Sequence, residues 1–74
     1  MANGTDLNDV VAPKKYFLSG FVFENAFTTD QIRGILEVIN CSIGIVQRIT
    51  VAYPTAKMYI RGRWNGMWES WVEL

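Results

Sequence analysis

Histidine is missing from these 74 residues, and cysteine occurs once, at Cys41. Without an imidazole there is no Ser-His or Cys-His nucleophile pair, and no side chain whose ordinary pKa suits it to general-base work near neutrality. A single cysteine forms neither an intrachain disulfide nor a structural zinc site, and Cys41 is expected as a small buried hydrophobe. Charge of one sign is lacking too. Seven basic residues balance seven acidic ones, leaving no global field to draw the chain to nucleic acid or to an anionic membrane, so neither is expected as a partner. The apolar runs are too short for a membrane-spanning helix, and the first residues carry no signal-peptide pattern. No Gly-rich phosphate loop or nucleophile elbow is present. Glu69 and Glu73 lie four apart on an extended segment, ~13 Å from each other, beyond the usual reach of a glycosidase carboxylate pair. Asp6 and Asp9 read as caps of a first turn rather than as cation ligands. The expectation is a protein that is not an enzyme and carries no cofactor or metal.

What the chain does have is apolar mass. Half of its residues are hydrophobic and 14% are aromatic, which excludes a disordered chain. A single domain of this size buries only ~60–65% of the surface its unfolded chain exposes, so part of that apolar area is expected to meet another subunit. Residues 1–4 read as a flexible lead-in and 5–74 as one small domain.

The order of the chain is mostly that of strands. Thr5 or Asp6 can cap a helical turn at residues 5–9, and Pro13 holds Ala12 extended before a strand over 15–23. There Phe17, Phe21 and Phe23 alternate with Tyr16, Leu18 and Val22, so both faces are apolar. Residues 29–41 fit two patterns. Ile32, Ile35, Leu36 and Ile39 have helical spacing behind a Thr29 cap, yet Gly34 costs a helix ~1 kcal/mol and 34–39 is β-branched enough for a strand. After a turn at 42–44, residues 45–53 alternate cleanly, with Ile45, Ile49, Val51 and Tyr53 on one face. A turn at 54–56 follows. Residues 57–64 and 67–74 then flank Asn65-Gly66, the strongest hairpin signal in the chain. The predicted fold is mainly β, a small antiparallel sheet of four to five strands with a C-terminal hairpin and one short N-terminal helical turn.

The hairpin carries the candidate site. Arg61, Arg63, Trp64, Trp68 and Trp71 fall within eleven residues. Indoles stack on sugar rings and arginines donate to hydroxyls or lie over indoles, so these five could contact a glycan; alternatively they build the core and a subunit interface. In a chain this short the second reading is favoured. Two registers compete. A two-residue type I′ turn pairs Trp64 with Met67 and Arg63 with Trp68, whereas a bulged turn at Gly66 pairs Arg61 with Glu69 and Tyr59 with Trp71. Cross-strand pairs are worth only ~0.2–1 kcal/mol each. The bulged form is preferred for its opposite charges and its aromatic pair.

The string from Tyr59-Ile60-Arg61 through Asn65-Gly66-Met67-Trp68 to Trp71 and Leu74 resembles the closing signature of pyocin-knob-like modules of phage tail fibre, baseplate and neck appendage proteins. The opening, Asp6-Leu7-Asn8-Asp9 followed by Pro13-Lys14-Lys15-Tyr16, is similar to that family's start, and 34–39 with 46–50 looks like its middle pair of strands. The likeness is specific at the C-terminal end and looser elsewhere. Met67 and Trp64 depart from it, standing where smaller or more polar residues are usual, and 24–33 has no counterpart. The resemblance implies strand rather than helix for 34–40. It also implies a structural role in the virion, with a homotrimer and other phage structural proteins as partners and a host surface glycan as an alternative one.

Overall fold

Alternating branched and aromatic residues over 32–40, 44–53 and 57–64 build the centre of the protein, described by a computed structural model for residues 1–53 and 55–74. Six strands, β1 (Lys15–Phe21), β2 (Ile32–Asn40), β3 (Gly44–Tyr53), β4 (Lys57–Trp64), β5 (Met67–Trp68) and β6 (Val72–Glu73), follow one 3-10 turn at Leu7–Asp9. They form an antiparallel sheet in the order β1-β2-β3-β4-β5, with β6 also on β4. The antiparallel β fold with a short N-terminal turn is thus as predicted. Residues 32–40 are strand: paired on both sides, their backbone groups are satisfied by β1 and β3, which local helical spacing could not offset. Pro54, part of the predicted 54–56 turn, lies outside the described residues.

The sheet has two unlike faces. The inner one carries Leu18, Leu36, Val38, Ile49 and Val51, all buried, and is covered by Leu7 and Val10 of the N-terminal segment and by Phe23. Asp6 caps the 3-10 turn by accepting from the Asn8 amide at 2.9 Å. The segment is held to the chain after β1 by the Gly4 amide donating to the Val22 carbonyl, by Asn3 Oδ1 accepting from the Val22 amide, and by a parallel bridge between Asp6 and Glu24. The outer face carries Phe17, Ile35, Ile39, Val46, Ile60, Trp64 and Met67, and nothing among the described residues covers it.

Three expectations are corrected. The first strand ends at Phe21, and its aromatics do not share a face: Phe17 is 75% exposed while Phe23 is 3% exposed. Gly20, at φ +85°, is the extra residue of a bulge that breaks the alternation and turns the chain inward toward Phe23. Cys41 is exposed rather than buried, sitting in the β2–β3 turn with its thiol donating to the Gly44 carbonyl at 3.2 Å. The hairpin takes the type I′ register, Arg63 opposite Trp68 and Trp64 opposite Met67. Asn65 at φ +54° and Gly66 at φ +78° are both left-handed, the pair of conformations that type I′ requires.

Candidate functional site

The bulge lies further along the hairpin than the sequence suggests. Between the Arg63–Trp68 and Ile60–Val72 pairs, β4 advances three residues and its partner advances four. The extra residue falls in 69–71, where the Glu69 amide donates to the Gly62 carbonyl at 2.8 Å. A strand without it would put Trp68 and Trp71 on opposite faces, because residues three apart alternate. With it, both indoles come to the inner face beside Arg61. The Arg61 guanidinium carbon stands 4.1 Å from the Trp68 ring centre and 4.6 Å from that of Trp71.

Arg61 is 6% exposed, so its charge needs partners within the fold. Its Nε donates to Gln47 Oε1 at 2.9 Å. Gln47, fully buried, donates its Nε2 to the carbonyls of Leu7 at 2.7 Å and Val10 at 2.9 Å. This amide therefore links the guanidinium to the N-terminal turn and is satisfied at both ends. Arg61 Nη2 is buried without a hydrogen-bond partner among the described residues, and the indole π faces stand in for an acceptor. Desolvation pulls the Arg61 pKa down to about 10, against the attraction of Asp6. The group stays a cation at neutral pH.

A second knot holds Trp71. Its Nε1 donates to the Asn25 carbonyl at 2.9 Å, and its ring meets Phe27 edge-on at 6.4 Å between centres. Asn25, at φ +57°, donates its side-chain amide to Asp6 Oδ1 at 2.7 Å. Asp6, Asn25 and Trp71 thus join the beginning, middle and end of the chain. The bonds from Asn25 and from the Asn8 amide hold the Asp6 carboxyl below its ordinary pKa. Since the folded carboxyl releases its proton more readily than the unfolded one, this stabilisation is whole above about pH 4 and is lost as pH falls toward the lowered folded value. The Asp6→Asn chain keeps an acceptor at this cap and is expected to lose stability less steeply than wild type between about pH 4 and pH 2. Thermal unfolding by circular dichroism across that range checks this; parallel curves would contradict it.

Of the five residues singled out in the sequence, the structure brings Arg61, Trp68 and Trp71 together. Arg63 flanks the group, its guanidinium carbon 5.9 Å from the Trp68 ring centre. Trp64 is not part of it, because it pairs with Gly44 on the outer face and is 62% exposed. Trp64 and Trp68 therefore line no common groove. Sequence reasoning missed Gln47, whose signal was one amide in the otherwise apolar series Ile45, Ile49 and Val51. The site as built is an internal brace: a cation between two indole faces with its Nε satisfied. Comparisons with protein families, with curated proteins and with solved structures find no match for the chain in any of the three.

Proposed function

We propose that this protein is a structural module of a bacteriophage virion appendage, a tail or head fibre, which holds copies of itself together as a homotrimer and attaches them to other phage structural proteins. The resemblance of the C-terminal hairpin supports the virion setting and the trimer. The observation that carries self-association is the uncovered outer face. Phe17 (75% exposed), Met67 (74%) and Trp64 (62%), with Val72 and Ile39, leave apolar area on the order of 600 Å² in water, at the upper end of what a monomer shows and close to the ~800 Å² per partner of a standard interface.

The charges on this face favour a second copy as the occupant. Glu37 is paired with Arg48 at 2.6 Å, which holds its carboxyl below its ordinary pKa. Lys15 on β1 and Glu69, whose carboxylate lies over Gly62 beside β4, stand toward opposite edges of the sheet. In a head-to-tail ring each copy brings its Lys15 edge to the Glu69 edge of the next, matching opposite charges around an apolar centre. A receptor- or glycan-binding knob on the same hairpin is less well supported, since Trp64 and Trp68 are on opposite faces and Arg61 lies against the inner indoles. Sedimentation equilibrium tests the reading: a trimer of three 8.4 kDa chains, about 25 kDa, is expected. A mass of one chain at micromolar concentration contradicts it.

A further inference from the structure

We propose that the groove between residues 27–31 and the adjoining ends of β3 and β4 is a binding site for a neutral saccharide. It is an open depression of about 460 Å³, within the usual range for small-ligand sites. It lies on the inner side of the sheet, so it remains open when the outer face is occupied by a second copy, and it stands independently of the assembly reading. Its floor is apolar and rigid, made by Ile32 (1% exposed) and Val51 (8% exposed). One wall is the Tyr59 ring, stacked on Phe27 at 3.7 Å between centres and 8° between planes. That stack is already formed, so no aromatic wall has to order on binding. Tyr53, 66% exposed, borders the groove at the end of β3, past the register shift that pairs it with Arg33, where its aromatic surface is open to solvent.

The rim supplies the polar half. Asp30, Gln31, Thr55 and Lys57 border the groove. The side chains of Asp30, Gln31, Tyr53 and Thr55 make no hydrogen bond to another described residue, while Lys57 stands 3.9 Å from Glu73. Carboxylate, amide, hydroxyl and ammonium together offer donors and acceptors, which suits a ligand whose every hydroxyl is both. Lys57 is offset by Glu73 and Asp30 adds a further negative charge, so the groove has no cation excess to select a phosphate or an acidic sugar. This places saccharide recognition away from the Arg61, Trp68 and Trp71 cluster.

The test is a ¹H–¹⁵N NMR titration of the whole chain with glucose, galactose, N-acetylglucosamine, lactose and chitobiose. Glucuronic acid and a neutral hexapeptide serve as comparison arms. At least one neutral sugar is expected to shift the amides of 28–32 and 55–59 saturably, with Tyr53→Ala weakening binding at least tenfold and Asp30→Asn weakening it severalfold. Ile43→Ala, at an exposed position of the β2–β3 turn, should leave it unchanged. Both Tyr53 and Asp30 are exposed, and a wild-type-like spectrum of each variant shows that it folds. No saturable shift with any neutral sugar at tens of millimolar overturns the proposal. So do shifts centred on Trp68 and Trp71, preference for the acid or the peptide, or undiminished binding by Tyr53→Ala.

Discussion

Gln47→Leu is expected to destabilise the protein by about 2–6 kcal/mol, because each stranded buried polar group costs about 1–3 kcal/mol and two are stranded at once. The Val10 carbonyl loses its donor and Arg61 Nε loses its acceptor, while the Leu7 carbonyl loses one of two donors and keeps the Val10 amide at 3.2 Å. Leucine fills similar space, so little of the loss comes from a cavity. Native stability for 74 residues is about 4–11 kcal/mol, so the loss is a large fraction of the whole and the urea midpoint is expected to fall well below that of wild type. The loss should be shared with Arg61. In Gln47→Leu with Arg61→Met, the stranded guanidinium is gone, and the double variant should be less destabilised than the two single changes summed, by about 1–3 kcal/mol. Urea unfolding at one fixed protein concentration measures all four chains. Additive effects would contradict the bracing role assigned to Gln47.

Gly34→Ala is the second large effect. Gly34 sits in β2 opposite Val51 and Leu18, and a Cβ built there falls on the carbonyl oxygen of Thr50. The neighbour is backbone of a central strand, so relief requires β2 and β3 to part. Overpacking of this kind costs about 3 kcal/mol or more when nothing flexible can yield. Gly66→Ala makes a useful contrast. Its Cβ meets nothing within 4 Å, and only the φ of +78° is unfavourable, at about 1–2 kcal/mol. The order of midpoints in urea should therefore be wild type, then Gly66→Ala, then Gly34→Ala, and a reversed order would refute the close β2–β3 approach.

The parts of the fold legible in the sequence are those set by neighbours along the chain. Asp6 as one of two candidate caps, the alternation over 45–51 and the Asn65-Gly66 turn are local and stand as read. A register shift after Val51, by contrast, sets Tyr53 opposite Arg33 instead of on the Ile49 and Val51 face. Residues 32–40 were ambiguous because the helical and strand patterns coincide there, and only pairing on both edges separates them. The hairpin register was misjudged because candidate pairs differ by tenths of a kcal/mol, while the deciding contacts are remote. Trp71 is aimed inward by the 69–71 bulge and bonded to Asn25, 46 residues away. Of the site, the Arg61, Trp68 and Trp71 grouping was legible from aromatic and cationic density. The separation of Trp64 was not, because it follows from register. Gln47 was visible as a lone amide on an apolar face, and only its three partners reveal what it does.

Self-association through the outer face is the central claim, and the mass of the chain in solution with and without that face tests it most directly. Wild type is expected near three times 8.4 kDa. Phe17→Glu with Met67→Glu, both at exposed outer-face positions, should sediment as a single chain with an unchanged circular dichroism spectrum. A wild type that is itself a single chain at micromolar concentration contradicts self-association. A trimer that survives both glutamates shows that the copies meet elsewhere.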